Sequence, residues 1–126
     1  MFAVDVMSRE PVYEQIIRQV ERMVLLGLMQ PGDQMPSVRA LSVELSVNPN
    51  TIQKAYGELD NRGVLQSVPG RGCFVAADAV CRLRERKRTE LSGLRAALRE
   101  LKLAGVTRDE INTLVEEIYK EEKGDL

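Results

Sequence analysis

The chain has 126 residues, the size of one ordinary domain, and it is long enough to bury a core without disulfide or metal support. Its 18 basic and 19 acidic side chains leave a formal net charge of -1, so any nucleic-acid binding must come from local placement of charge. The sequence has no histidine, which excludes Ser-His-Asp catalysis and histidine-based zinc sites. We therefore expect no enzyme activity, no cofactor and no metal.

The two cysteines, Cys73 and Cys81, lie outside any CxxC spacing and are expected to be reduced thiols. The amino-terminal segment lacks the pattern of a secretory signal, and no segment approaches the roughly 18 apolar residues that a membrane span needs. We therefore predict a cytoplasmic protein that has no membrane partner.

Three helices are predicted in the first half of the chain. Apolar residues recur at steps of three and four over residues 11–28, which indicates an amphipathic helix entered through a proline. A short second helix is predicted to begin after Ser37, which suits its N-cap. For a third helix, Asn48 and Pro49 suit the N-cap and the first position, and Gly63 suits a left-handed C-terminal stop.

A β-hairpin is predicted to follow the third helix. Residues 64–68 and 73–76 have the pattern of two short strands, and a glycine-rich turn joins them. Three helices and a hairpin make a winged helix-turn-helix, so residues 1–77 are predicted to form a DNA-binding domain. The predicted fold is mostly α, with this domain followed by a two-helix C-terminal dimerisation hairpin.

The C-terminal region, residues 78–126, is predicted to contain two amphipathic helices. The first is expected to be one helix of about seven turns that ends at Gly105, and a capping box at residues 107–110 begins the second. Such an αα-hairpin leaves an apolar stripe uncovered, and we expect a second copy of the chain to cover it. The predicted dimer-interface residues are Leu91, Leu94, Leu98, Leu101, Ile111, Leu114 and Ile118.

Several blocks of the sequence resemble the GntR family of bacterial transcription regulators. They are Pro-Val-Tyr-x-Gln-Ile at residues 11–16, Pro-Gly-Asp-x-Met-Pro-Ser-Val-Arg at 31–39, Val-Asn-Pro-x-Thr-Ile at 47–52 and Gly-Arg-Gly-x-Phe-Val at 70–75. The short helical tail resembles the YtrA-type branch of that family, whose small C-terminal part serves dimerisation. The resemblance implies a homodimeric regulator, expected to be a repressor, that binds an inverted-repeat operator in double-stranded DNA. Any small-molecule effector is unknown.

The polar residues of the helix-turn-helix and the wing are candidates for DNA contact. Asn and Gln side chains at the start of the third helix can bond adenine, and Lys54 can reach guanine or a phosphate. Arg71 lies between two glycines and suits a narrow minor groove, and the resemblance implies that Arg39 touches DNA. The predicted DNA-binding residues are Ser37, Arg39, Asn48, Pro49, Asn50, Thr51, Gln53, Lys54, Tyr56, Gly70, Arg71 and Gly72.

Some of these residues also have structural explanations, in whole or in part. Asn48 can be a plain N-cap, and Arg71 can lie in a solvated turn. Thr51 and Tyr56 have a similar ambiguity, and Tyr56 is more often half core and half phosphate contact. Arg39 can form a surface ion pair with Glu44 or a neighbour, which would contribute little to stability. At the level of the whole protein, the alternative function is a winged-helix module that binds proteins.

Overall fold

The computed structural model describes residues 2–122 and contains six helices and two strands in that part of the chain. In chain order they are α1 (Val12–Leu25), α2 (Val38–Leu45), α3 (Pro49–Asn61), β1 (Leu65–Val68), β2 (Gly72–Val75), α4 (Ala79–Arg88), α5 (Leu91–Leu103) and α6 (Arg108–Lys120). The prediction of a mostly helical fold with a winged helix-turn-helix is confirmed. Contacts divide the chain into two compact units, Met1–Arg84 and Glu85–Leu126.

The first unit is built around one hydrophobic core, to which its helices and strands contribute. Ile16, Val20 and Val24 follow one another at four-residue steps along α1, so they share one buried face of that helix. The largest fully buried side chains are Ile16, Leu41, Ile52, Leu59, Leu65, Leu83, Val20, Val24 and Val64. Burying such a side chain contributes about 1.5–3 kcal/mol, so this core holds α3 firmly and leaves its opposite face in solvent.

Some helix ends follow local sequence signals, whereas the end of α1 does not match its prediction. The Asn48 side chain accepts a hydrogen bond from the Asn50 backbone N–H at 2.8 Å and caps α3, as predicted. The first helix ends at Leu25, so its predicted extension to residue 28 is wrong. Gly27 has a φ of +78°, and this left-handed residue turns the chain out of the helix.

The wing is an antiparallel pair in which Leu65 lies opposite Val75 and Val68 lies opposite Gly72. Its strands begin and end within one residue of the predicted bounds. The loop before α2 extends this pair, because Gln34 bridges to Phe74 and the Met35 N–H donates to the Cys73 carbonyl at 2.8 Å. The wing is therefore attached to the helix-turn-helix by backbone hydrogen bonds.

The predicted helix of seven turns after residue 78 is wrong, because two helices, α4 and α5, occupy this region. Between them, the Thr89 hydroxyl donates to the Arg86 carbonyl at 2.6 Å, and the Ser92 hydroxyl donates to the Thr89 carbonyl at 3.0 Å. Hydroxyls that bond nearby carbonyls compete with the regular helical pattern. Ala79 and Leu83 of α4 belong to the core of the first unit, so this unit extends beyond residue 77. The functional boundary after residue 77 stays a prediction.

The second unit contains α5 and α6, which expose their apolar faces. The predicted capping box is present: the Thr107 hydroxyl accepts from the Glu110 N–H, and the Glu110 carboxylate accepts from the Thr107 N–H. Neither helix contains a buried residue. Of the seven predicted interface residues, Leu98 and Ile111 are half-buried, and the exposed ones are Leu91, Leu94, Leu101, Leu114 and Ile118. Their role in a dimer stays a prediction.

Three further observations concern the chemistry open to the described residues. Cys73 is half-buried and Cys81 is exposed, and neither forms a disulfide. No group of three or more His, Cys, Asp or Glu residues that could hold a metal ion occurs in residues 2–122. Within the same residues, every helix is too short or too polar to cross a membrane.

Candidate nucleic-acid interface

The predicted DNA-binding residues come from three elements of the first unit: the start of α2, the first half of α3 and the wing. Tyr56 is buried and Thr51 is half-buried. The exposed ones are Ser37, Arg39, Asn48, Pro49, Asn50, Gln53, Lys54, Gly70, Arg71 and Gly72. The prediction therefore selects mainly surface residues, and their role in binding DNA depends on how they are arranged.

The α3 helix presents a polar face to solvent because its apolar residues follow the helical period. Its buried positions are Ile52, Ala55, Tyr56 and Leu59. Asn50 and Gly57 lie on the opposite face, with Gln53 and Lys54 to its two sides. Gly57 is a residue that the sequence analysis missed. A glycine inside a helix costs about 1 kcal/mol relative to alanine, and here it leaves a flat exposed surface where another molecule can approach the backbone.

A groove of about 620 Å³ lies between α3, the loop before α2 and the wing. Its lining includes Gly57 and Asp60 from α3. It also brings together six of the predicted residues, namely Ser37, Gln53, Tyr56, Gly70, Arg71 and Gly72. The other six, Arg39, Asn48, Pro49, Asn50, Thr51 and Lys54, do not line it. The groove therefore joins one side of α3 to the wing.

At the start of α2, a capped helix carries an unpaired cation. The Ser37 hydroxyl accepts a hydrogen bond from the Ala40 N–H at 3.0 Å, which makes Ser37 the N-cap. Arg39 follows in the first turn and is exposed. Within residues 2–122 it forms no ion pair, so the proposed pair with Glu44 is absent. The Arg39 guanidinium is free to meet an anion.

Tyr56 connects α3 to the loop before α2. Its hydroxyl donates to the Pro36 carbonyl at 2.8 Å, and burial raises the pKa of its phenol, which therefore stays neutral at physiological pH. Tyr56 therefore lies in the core, which is one half of the role expected for it from the sequence. A phosphate contact by this hydroxyl would require it to leave the Pro36 carbonyl.

The wing tip is held by side chains that the sequence analysis did not select. The Gln34 side-chain amide donates to the Arg71 carbonyl at 3.1 Å, and Asp60 accepts from the Ser67 N–H at 3.0 Å. Gly72 has a φ of +122°, and a Cβ there would lie 2.9 Å from the Gln34 amide nitrogen. Only glycine fits this position without strain, and the turn presents the exposed Arg71 side chain beside it.

On the other side of α3, the Lys54 ammonium lies over the ring of Tyr13 in α1. The distance from Nζ to the ring centroid is 3.8 Å, which is a cation–π contact. Tyr13 was not among the predicted site residues. The two sides of α3 therefore differ, since Gln53 lines the groove toward the wing and Lys54 contacts α1.

Residues 12–75 match the profile of the family described as bacterial regulatory proteins, gntR family. The chain belongs to the GntR family. The HTH-type transcriptional repressor YtrA of Bacillus subtilis (strain 168) is 38% identical to it over 125 residues, which cover 98% of this chain and 96% of that protein. The prediction of a GntR-family transcription regulator of the short YtrA type is therefore confirmed.

Solved structures support the same assignment for this GntR regulator. A transcriptional regulator from Oenococcus oeni superposes with a TM-score of 0.74 at 29% identity, over 92% of this chain and 97% of that one. The DNA-binding domain of AraR in complex with operator ORX1 superposes with a TM-score of 0.55 at 30% identity, over 60% of this chain and 96% of that one.

Proposed function

We propose that this GntR regulator is a homodimeric repressor that binds an inverted-repeat operator in double-stranded DNA. The observation that carries the proposal is the arrangement of the first unit, in which polar residues of α3, the start of α2 and the wing surround one open groove. The similarity to YtrA, which is named a repressor, supports the direction of regulation. The similarity to the operator-bound AraR domain supports the kind of partner.

The arrangement suggests how sequence is read. The N-terminal half of α3 enters the major groove, where Asn50 and Gln53 meet base edges and Gly57 permits a close approach of the helix. The wing reaches the adjacent minor groove with Arg71, where a narrow groove attracts a guanidinium. Arg39 anchors the start of α2 to a phosphate or a base edge. Binding itself is the activity, and it takes place in the cytoplasm, where the chromosome lies.

The second unit supplies a surface for a second copy of the chain. The α5 face carries Leu94 and Leu98 beside Arg95, Arg99 and Lys102, which line a shallow groove with them. The α6 face carries exposed apolar residues, and two acidic residues, Glu110 and Glu117, flank it on the helix. Two copies can bury these apolar faces and place opposite charges around them. The resulting two-fold symmetry matches an inverted repeat.

The test is a titration of the protein with labelled duplex DNA from upstream of its own gene, followed by fluorescence anisotropy. A dimer that neutralises on the order of 6–10 phosphates loses roughly 10³–10⁵ in affinity between 50 and 200 mM salt. A scrambled duplex of equal length and composition is the control for specificity. Sedimentation of the complex is expected to show two chains on each duplex.

Arg39→Ala is expected to weaken operator binding strongly. Its matched control is Arg22→Ala, which removes the same charge from an exposed position near the end of α1. A flat response to salt, or equal affinity for the operator and the scrambled duplex, would contradict the proposal. Equal effects of the two arginine substitutions would remove Arg39 from the interface.

A further inference from the structure

The seam between α1 and α3 contains two cations that have different partners. Arg62, at the end of α3, donates to Glu58 at 2.9 Å and lies 3.3 Å from Glu21 of α1, so its charge is compensated. Glu58 follows Lys54 by one helical turn, but the Glu58 carboxylate forms its ion pair with Arg62. Lys54 forms no ion pair in the described part of the chain, and Tyr13 is its neighbour across the seam.

The position of these contacts shows which end of the seam Lys54 occupies. Tyr13 and Glu21 are eight residues apart on α1, and their partners Lys54 and Arg62 are eight residues apart on α3. The two helices therefore run side by side in the same direction. Lys54 lies in the N-terminal half of α3, which is the half that enters the major groove in a helix-turn-helix complex.

Lys54 lies beside the base-reading face of α3, on the side away from the groove that Gln53 lines. When a recognition helix lies in the major groove, base edges lie beneath it and a phosphate backbone passes along each flank. A cation held on the α1 flank is therefore near a backbone strand. A side chain in this position is better placed to bind a backbone phosphate than to read base edges.

We propose that Lys54 contacts a backbone phosphate on the α1 flank and that Tyr13 is the positioning residue that holds its ammonium there. The proposal rests on the proposed function, since it concerns the same DNA complex. An aromatic ring suits this task because it orients the cation and leaves its charge uncompensated for the phosphate. The hydrogen bond that the Tyr13 hydroxyl donates to Glu14 raises the pKa of Tyr13, so the ring stays neutral at physiological pH.

The test measures the affinity for operator and scrambled duplexes over a series of salt concentrations. Lys54→Ala is expected to weaken binding to both duplexes by the same factor. It is also expected to reduce the slope of log Kd against log salt by about 1 for each protomer, because one phosphate contact is lost. Arg22→Ala, which removes an exposed cation elsewhere, is the control and leaves the slope unchanged.

Substitutions of Tyr13 test its positioning role. Tyr13→Leu is expected to weaken binding to both duplexes by about two- to tenfold, because the lysine must then be ordered when DNA binds. Tyr13→Phe keeps the ring and is expected to bind like the original protein. In a Lys54→Ala background, Tyr13→Leu is expected to have no further effect on binding. Thermal unfolding of each variant ensures that binding is compared between folded proteins.

Four results would overturn the proposal. A loss confined to the operator in Lys54→Ala would make Lys54 a base-reading residue. Equal losses in Tyr13→Phe and Tyr13→Leu would make the hydroxyl, and not the ring, the functional group. Salt-dependent binding by the original protein with an unchanged slope in Lys54→Ala would refute this proposal alone, whereas an original protein without salt-dependent binding would refute the proposed function as well.

Discussion

Removing the Tyr56 hydroxyl tests whether this group contacts DNA or has a structural role. Tyr56 is 4% exposed, and its hydroxyl donates at 2.8 Å to the carbonyl of Pro36, a half-buried residue. Tyr56→Phe keeps the ring, removes the donor and leaves that carbonyl without its partner. We expect the free energy of unfolding to fall by about 1–2 kcal/mol, the cost of an unsatisfied group that water reaches only in part.

Thermal unfolding measures this loss. In a domain of this size, each kcal/mol lowers the Tm by about 4–8 °C. Tyr119→Phe makes the same chemical change at a tyrosine that is 85% exposed, and it is expected to leave the Tm unchanged. At 25 °C, where Tyr56→Phe is still folded, its affinity for the operator is expected to stay within about twofold of the original, because the hydroxyl faces Pro36. An unchanged Tm with a tenfold loss of operator affinity would refute this reasoning.

The pH dependence of stability gives an independent check. Burial raises the pKa of Tyr56 above the value near 10 of an unfolded tyrosine. The folded state therefore keeps the proton that the unfolded state releases, so this contribution is fully present below pH 10 and is lost as the pH rises further. Tyr56→Phe lacks the titrating group. The difference in stability between the two proteins should accordingly shrink above pH 10.

Three further substitutions test the interface and the dimer. Gln53→Ala should reduce discrimination at one operator position by about 1–3 kcal/mol, measured with single-base operator variants, whereas equal losses for all variants would make Gln53 an anchor. Arg71→Ala should lose most affinity when the sequence under the wing is A·T-rich, and affinities independent of that sequence would place Arg71 in solvent. Leu98→Glu should shift sedimentation toward monomers, because it adds a carboxylate to the apolar face of α5. A Leu98→Glu protein that stays dimeric and binds as before would place the dimer interface elsewhere.

Features that depend on neighbouring residues were predictable from the sequence. Asn48 caps α3 by bonding a backbone N–H two residues away, and the capping box of α6 joins residues three apart. The prediction for the first helix is too long, which shows that apolar periodicity alone does not locate the end of a helix. Leu28 continues the apolar spacing of α1, yet it lies beyond the turn at Gly27 and is 67% exposed.

Features that depend on distant or competing partners were missed. The leucine spacing continues across Thr89, although the hydroxyls of Thr89 and Ser92 bond backbone carbonyls at the break between α4 and α5. Gln34 and Arg71 are 37 residues apart, so no local pattern indicates that one holds the other. The contact between Tyr13 and Lys54 likewise depends on the packing of α1 against α3, which brings the two residues together.

The backbone pairing between the wing and the loop before α2 has a consequence for folding. A hairpin of two four-residue strands is too short to be stable by itself in water. Its second strand, β2, bonds Asp33 and Met35, some forty residues earlier in the chain, and this loop is fixed only when the helices have packed. The wing therefore forms with the helical core as one cooperative unit, and a substitution at its base changes the global stability of the unit and its resistance to hydrogen exchange.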